Sequence, residues 1–313
     1  MRVFLAGGSG AIGARLVPDL VAAGHSVVAL TRTADKQDAI RALGAEPAVA
    51  DALDREAVIR AVTEARPDAV IHQLTAIPAR LNMRRIGRDF ELTNRLRTEG
   101  TDHLLEAARQ AGARRVVAQS FAGWPYAREG GPVKDEDAPL ATDPPPEMKG
   151  MLDAIKHLEA AVTGADLEGI VVRFGLFYGP GTSMARGASV AEDVRRRRFP
   201  LVGDAAGVWS FCHIADAASA TVAALEGAAP GIYNVVDDAP APVSEWLPEL
   251  SRVMGAKPPM RVPAWVGRLA VGEHGVMMMT RIRGASNAKI KRDLGWAPAF
   301  PTWREGFARE LSG

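Results

Sequence analysis

Three glycines near the start of the chain have the spacing of a phosphate-binding turn. Gly7, Gly10 and Gly13 follow a short apolar run and open an amphipathic stretch. One glycine makes the turn tight, one lets the backbone approach a pyrophosphate, and one lets helix and strand pack closely. The helix N-terminus supplies free N–H groups and the positive end of its dipole, so we expect Ala11 and Ile12 to border the phosphates as well. The pattern predicts dinucleotide binding; the alternative is a plain structural turn.

The end of the second apolar run holds a basic residue where the ribose of a cofactor is usually recognised. An NAD site commonly carries Asp or Glu about 20 residues beyond the glycines, where it binds the 2′-hydroxyl group. Here that position holds Thr31, and Arg32 follows. A guanidinium pairs with a 2′-phosphate through two hydrogen bonds, whereas a carboxylate repels it. The residues therefore favour NADP(H), and the alternative is a solvated loop arginine.

The elements that must position these residues alternate along the first two-thirds of the chain. Short β-rich runs fall at residues 3–6, 26–30, 47–50, 69–74, 115–119 and 170–174. Helical patterns lie between them, including a long one over residues 90–111, and Asp54 is a candidate N-cap. This alternation predicts right-handed βαβ units, and hence a doubly wound parallel sheet of the Rossmann type in the α/β class.

The alternation weakens after residue 174, where glycines, prolines and tryptophans become frequent. We interpret residues 1–174 as an NADP-binding Rossmann domain to which the chain returns at about 208–236. Residues 175–313 are then mainly a smaller, C-terminal substrate-binding lobe. Because ligands of such sheets bind outside the carboxyl ends of the strands, we expect the site in the crevice between the two parts.

Composition and charge exclude several classes of protein. The 313 residues are 47% hydrophobic and 24% charged, which excludes a disordered or fibrous protein. With 38 basic and 37 acidic side chains, the net charge of +1 gives no support for a nucleic-acid or membrane-surface partner. Cys212 is the only cysteine, so neither an intrachain disulfide nor a cysteine zinc cluster is available, and no other pattern has metal-ligand spacing. We expect a cytoplasmic protein.

A set of motifs spread over nearly the whole chain carries a family resemblance. They are Gly7-x-x-Gly10-x-x-Gly13, Asp51, residues 70–76, residues 100–108, Arg173-x4-Tyr178-Gly179-Pro180-Gly181, Phe211-x-His213-x-x-Asp216 and Leu294-Gly295-Trp296. Together they resemble the extended short-chain dehydrogenase/reductases, the NAD-dependent epimerase/dehydratase group. The resemblance implies a nicotinamide cofactor on the Rossmann domain and a small-molecule substrate beneath the C-terminal lobe.

The resemblance also implies where the parts of the cofactor lie. The adenine is expected against Asp51 and Ala52, with the Asp51 carboxylate accepting a hydrogen bond from the adenine amino group. The other implied contacts are the inner ribose with Leu74 and Thr75, and the nicotinamide with Phe174 and Gly175.

The catalytic pair of that family, Tyr-x-x-x-Lys, is missing from the helix before the sixth strand. In the family the tyrosine moves the proton of the substrate, while the lysine lowers the tyrosine pKa and holds the ribose. This helix contains no tyrosine. If Lys156 is the family lysine, Leu152 stands in the tyrosine position; if Glu159 sets the register instead, both catalytic positions are apolar. Lys156 is a candidate ribose or acid/base lysine, and the alternative is a solvated helix lysine.

Two hydroxyl groups after the fifth strand are candidate replacements. The family carries two or three Ser or Thr residues here, of which the last polarises the substrate oxygen. This chain keeps Ser120 alone, and one alignment puts Phe121 in the catalytic place. Tyr126 lies six residues past Ser120 on a loop expected to border the nicotinamide, as a proton donor or as a packing aromatic. Arg97 replaces a helix asparagine of the family, and these departures resemble its atypical branch.

These residues predict an NADP(H)-dependent oxidoreductase acting on a small carbonyl or alcohol substrate. A sugar-modifying epimerase or dehydratase is the alternative in the same class, and a non-catalytic NADP(H)-binding sensor is the alternative in another. Family members that act on nucleotide-linked sugars usually carry an arginine where this chain has Trp209, and an asparagine where it has Leu176. We therefore expect a substrate without a nucleotide diphosphate. A homodimer is left open.

Overall fold

Strands and helices alternate along the computed structural model, which describes residues 1–312. The strands are β1 (Arg2–Ala6), β2 (Ser26–Thr31), β3 (Glu46–Val49), β4 (Ala69–His72), β5 (Arg115–Phe121), β6 (Val133–Lys134), β7 (Glu168–Phe174), β8 (Leu176–Tyr178), β9 (Leu201–Val202), β10 (Val208–Trp209), β11 (Phe211–His213), β12 (Gly231–Val235), β13 (Ala241–Pro242), β14 (Arg261–Val262) and β15 (Gly284–Ala285). The helices are α1 (Gly13–Ala22), α2 (Gln37–Ala42), α3 (Arg55–Ala65), α4 (Ile86–Asp89), α5 (Glu91–Arg97), α6 (Glu99–Gln110), α7 (Lys149–Thr163), α8 (Ser189–Arg195), α9 (Ile214–Gly227), α10 (Val243–Val253), α11 (Ala264–Thr280), α12 (Ala288–Leu294) and α13 (Trp303–Leu311).

Seven parallel strands form the central sheet, in the order β12-β7-β5-β4-β1-β2-β3. The chain winds outward in both directions from β1, which lies between β2 and β4. The predicted doubly wound parallel sheet is confirmed. The carboxyl ends of β1 and β4, where the strand order reverses, form the crevice in which such sheets bind ligands.

The apolar strands of this sheet are buried because helices cover both of its faces. Side chains of β1 alternate between two cores. Val3 and Leu5 pack with α1 and α9, whereas Phe4 and Ala6 pack with α3 and α6. All four side chains have no exposed surface. This rigid layer fixes the turn that follows β1.

Two helix boundaries show what the sequence predicted well and badly. The Asp54 carboxylate accepts a hydrogen bond from the Ala57 N–H at 3.0 Å, so the predicted N-cap of α3 is confirmed. The single helix predicted over residues 90–111 is wrong, because α5 and α6 meet at a break at Thr98. The Thr98 hydroxyl donates to the carbonyl oxygens of Asn94 and Arg95, and such bonds to the preceding turn bend helices.

A third apolar core fills the C-terminal third of the chain and continues onto the inner face of α7. Phe211 is at its centre, with ring centroids 5.3 Å from Trp246 and 5.2 Å from Phe307. Met151 and Ile155 of α7 belong to the same buried cluster. The face of α7 that packs toward this cluster is therefore apolar.

Among residues 1–312, no helix combines the length and the apolar character needed to cross a membrane. Within the same residues, no three His, Cys, Asp or Glu side chains are grouped so that they could hold a metal ion.

Candidate active site

The glycine turn has the geometry that its spacing predicts. Gly7 has a φ of +103°, and a Cβ there would lie 2.8 Å from the Gln73 carbonyl oxygen. A Cβ on Gly13 would overlap the Gly7 carbonyl oxygen, so the first turn of α1 packs directly against the end of β1. The Gly10 N–H donates to the Gly7 carbonyl at 3.1 Å and closes the turn. Ala11 and Ile12 lead from it into α1, where free N–H groups and the helix dipole favour an anion.

The end of β2 presents one buried and one exposed side chain. Thr31 is 3% exposed, and its hydroxyl donates to the Thr33 carbonyl oxygen at 3.2 Å. Arg32 is exposed, and its guanidinium has no hydrogen bond or ion pair among residues 1–312. The arginine is thus available to an anionic ligand at the edge of the sheet.

The other residues implied to contact the cofactor follow their strands along the same edge. Asp51 is exposed, and its carboxylate accepts from the Leu53 N–H at 2.9 Å. Ala52 beside it is buried. The remaining implied residues are Leu74 and Thr75, which follow β4, and Phe174 and Gly175, at the end of β7. Their contacts with a cofactor stay predictions.

A glutamine that the sequence analysis did not single out lies beside the glycine turn. Gln73 follows β4, and its backbone N–H donates to the Ala6 carbonyl at 2.8 Å. Its side chain is 6% exposed, yet neither polar atom of its amide has a hydrogen-bond partner among residues 1–312. Since buried amides nearly always have partners, this orphaned amide fits a site that a polar ligand completes. The signal in the sequence was a polar residue within an apolar run.

The hydroxyl of Ser120 belongs to a buried charged network. It donates to the Glu159 carboxylate at 2.6 Å. The same carboxylate accepts two hydrogen bonds from the Arg173 guanidinium, at 2.8 and 2.7 Å. All three residues are at most 5% exposed. The network joins β5, α7 and β7 beneath the crevice.

Tyr126 extends this network. Its hydroxyl donates to the Asn234 side-chain oxygen at 2.5 Å and accepts from Arg173 at 3.2 Å. Burial raises its pKa to about 12, although the charge of Arg173 opposes that shift. A phenol with this pKa is a weak proton donor at neutral pH, and its proton is already directed at an amide oxygen.

Among residues 1–312, the Lys156 side chain makes no hydrogen bond to that network. Its ammonium group donates to the Ala141 carbonyl oxygen at 2.8 Å, and the side chain is half-buried. Its neighbours Met151, Leu152 and Ile155 are 4%, 1% and 1% exposed. The structure thus links Ser120 and Tyr126 through Glu159 and Arg173, whereas the one hydrogen bond given for Lys156 is to Ala141. Catalytic roles for these three residues stay predictions.

The chain matches the model of the "NAD dependent epimerase/dehydratase family" over residues 3–235. It is 49% identical over 317 aligned residues to a "3-diazoavenalumate denitrifying reductase" of a Streptomyces species, covering 99% of this chain and 100% of that protein. A ketoreductase of Stigmatella aurantiaca, named for a farnesylated dihydroquinoline oxide, is 29% identical over 82% of this chain and 74% of its own. The fold also matches the UDP-glucose 4-epimerase of Thermus thermophilus in complex with NAD. That match has a TM-score of 0.75, 26% identity, and covers 100% and 97% of the two chains.

Family, fold and reductase relatives agree on the class of enzyme. The protein is an NAD(P)-dependent oxidoreductase acting on a small substrate. The chain belongs to the NAD-dependent epimerase/dehydratase family, within the extended short-chain dehydrogenase/reductases.

Proposed function

We propose that this enzyme is an NADP(H)-dependent reductase that adds hydride to a small, largely apolar substrate at a group that needs no proton from the protein. The observation that carries the proposal is the apolar inner face of α7, and the ion pair between Glu159 and Arg173 supports the register used here. In this proposal the glycine turn holds the pyrophosphate and Arg32 the 2′-phosphate. When bound, the nicotinamide supplies the hydride.

The ion pair supports one of the two registers that the sequence left open. The Glu159 carboxylate is buried against the Arg173 guanidinium of β7. This contact holds Glu159 in place, because either charge alone would be costly to bury. Counting one and two helical turns back from Glu159 reaches Ile155 and Met151. In this register, neither position that the resemblance assigns to the lysine and the tyrosine carries a polar atom that could move a proton.

The relative with 49% identity supports a reaction of this kind, since its name refers to a diazo group, to the loss of nitrogen and to reduction. In a diazonium group, an added hydride forms the new C–H bond while the C–N bond breaks. The electron pair of that bond leaves with N₂, so atoms and charge balance without a proton from the protein. A ketone reduced by hydride gives an alkoxide, which needs one.

The side chains around the crevice then have to orient the substrate and exclude water. Phe121 is half-buried and its ring centroid lies 6.4 Å from that of Trp124, which packs in the same cluster as Met151. Ser120 and Tyr126 act, in this proposal, by holding Glu159 and Arg173 in place. Lys156 can bind the cofactor ribose only if its ammonium group gives up the hydrogen bond to the Ala141 carbonyl oxygen when the cofactor binds.

The test is anaerobic incubation of the enzyme with an aryl diazonium probe, 4-diazobenzoate, and NADPH deuterated at the 4R or the 4S position. We expect N₂ and NADP⁺ in equal amounts, with deuterium from only one of the two cofactors in the arene. Spontaneous reduction does not distinguish 4R from 4S, so the unused label is an internal control. Stereospecific turnover of ketones or aldehydes, with none of the diazonium, would contradict the proposal.

Sugar nucleotides are expected not to bind to this site. Trp209 is 7% exposed, and its indole N–H donates to the Met278 carbonyl at 2.8 Å, so it offers a diphosphate neither charge nor a free donor. Arg–phosphate pairs supply the strong bonds in such sites. Calorimetric titration with UDP-glucose should show no binding, while NADPH in the same cell confirms active protein. A clear isotherm with a Kd near micromolar would favour the epimerase alternative.

The same proposal includes a cytoplasmic enzyme, from the single cysteine, and no nucleic-acid partner, from the balanced charge. It also includes a homodimer, for which measurement of molecular mass in solution is the test.

A further inference from the structure

Arg97 is a buried cation without a counter-ion. It ends α5 and is 5% exposed. Among residues 1–312, its guanidinium makes no hydrogen bond and no ion pair. The carboxylate of Glu159 influences it, but that carboxylate is already bound by Arg173 and Ser120. Arginines are rarely buried unless they are paired.

The surroundings of Arg97 place it at the ligand edge of the sheet. Its carbonyl oxygen accepts from the Thr101 hydroxyl at 2.7 Å, and that hydroxyl lies 3.1 Å from Nε2 of His72, the last residue of β4. Nδ1 of His72 accepts from the Leu74 N–H at 3.2 Å, so the imidazole is neutral and both ring nitrogens are occupied. Burial, and then the charge of Arg97, lower the pKa of His72 to about 4. The Arg97 backbone is therefore close to the end of β4.

The charge of Arg97 persists at neutral pH although burial opposes it. Burial lowers its pKa to about 10, with Glu159 acting in the other direction. A buried charge that is neither paired nor neutralised destabilises the folded protein. Glu159 offsets that cost only in part, because its carboxylate is already bound by Arg173 and Ser120, which points to a partner that arrives as a ligand.

We infer that Arg97 binds oxygen atoms in the nicotinamide half of the cofactor. The adenosine half lies over β1 and β2 in sheets of this kind, and the nicotinamide half lies toward β4 and its neighbours on the other side. Helix α5 packs against α7, where Ile155 is one turn before Glu159 and, in the register proposed above, occupies the position of the family lysine. Arg97 restores a positive charge between these helices, with five donors that suit hydroxyl and phosphate oxygens.

This inference rests on nicotinamide-cofactor binding and is independent of the substrate proposed above. Its test compares Arg97→Met and Arg97→Lys with Arg95→Met, a matched control on the same helix whose guanidinium is exposed and paired with Glu99. Two ligands are titrated: NADPH, and 2′,5′-ADP, which is the adenosine half alone. The melting temperature of the ligand-free proteins is measured alongside.

For Arg97→Met we expect NADPH affinity to fall by about 10- to 150-fold, the loss typical of hydrogen bonds to a charged group. The affinity for 2′,5′-ADP should be unchanged, and the Tm of the ligand-free protein should be equal or higher. Arg97→Lys should keep part of the NADPH affinity, and Arg95→Met all of it.

Two outcomes would overturn the assignment. Unchanged NADPH affinity in Arg97→Met would mean that the cofactor does not meet this side chain. Loss of both ligands together with a lower Tm would mean that Arg97 holds the fold. If the wild-type protein binds NADH as tightly as NADPH, the proposed cofactor preference fails, and the Arg97 comparison is made with NADH and 5′-ADP instead.

Discussion

NADPH should bind this enzyme about 10- to 150-fold more tightly than NADH at low ionic strength. The reason is the exposed guanidinium of Arg32, which has no partner among residues 1–312 and follows the strand whose end meets the adenosine ribose. A bidentate bond to the 2′-phosphate contributes about 1.5–3 kcal/mol. Because this end of the site is open to solvent, salt should reduce the preference. Fluorescence titration of both reduced cofactors measures it.

Variants of the same two residues separate this explanation from a general effect of charge. Arg32→Ala should weaken NADPH and leave NADH nearly unchanged, and Thr31→Asp combined with Arg32→Ala should reverse the order. Arg41→Ala is the control, since this exposed arginine of α2 is paired with Asp38 at 2.7 Å. Equal affinities of the wild-type protein for the two cofactors would show that Arg32 stays in solvent.

The parts of the site that the sequence predicted depend on local chain geometry. A glycine turn between a strand and a helix is specified within about a dozen residues, so Gly7, Gly10 and Gly13 could be placed without knowledge of the rest. The parallel sheet followed from the alternation of strands with helical stretches, since parallel neighbours need such crossover connections. The break at Thr98 was missed because apolar periodicity continues through it, and only the hydroxyl bonds to the preceding turn reveal it.

The parts that the sequence left open depend on pairing between distant elements. Glu159 is 39 residues from Ser120 and 14 from Arg173, so the sequence could not show that its carboxylate binds both of them. Tyr126 was either a packing aromatic or a proton donor, and its bond to Asn234 spans 108 residues. Arg97 attracted notice in the sequence only as a replaced asparagine. Its burial without a counter-ion is visible only in the fold.

Replacing Glu159 is expected to destabilise the protein by about 3–5 kcal/mol, the typical cost of leaving one member of a buried ion pair without the other. Glu159→Met would remove three hydrogen bonds, one from Ser120 and two from Arg173, and leave the Arg173 guanidinium buried and half-satisfied. Chemical denaturation monitored by tryptophan fluorescence measures the change in the free energy of unfolding.

Two further variants decide whether the pair, rather than the volume of the side chain, causes the loss. Glu159→Met combined with Arg173→Met should recover much of the stability, because apolar side chains of similar volume often replace a buried pair at little cost. Ser120→Ala removes one of the three bonds and should cost about 1–3 kcal/mol of folding stability.

If the proton-free reaction proposed above is right, Ser120→Ala should also leave the single-turnover rate of hydride transfer nearly unchanged. Removal of a group that polarises the substrate, in contrast, typically slows a reaction by about 10²–10³. A Ser120→Ala protein that is fully stable but slowed to that extent would return Ser120 to the catalytic role that the family resemblance implies. A double variant no more stable than Glu159→Met would mean that the pair does not organise α7 and β7, and the register that assigns Ile155 and Met151 to the positions of the family lysine and tyrosine would lose its support.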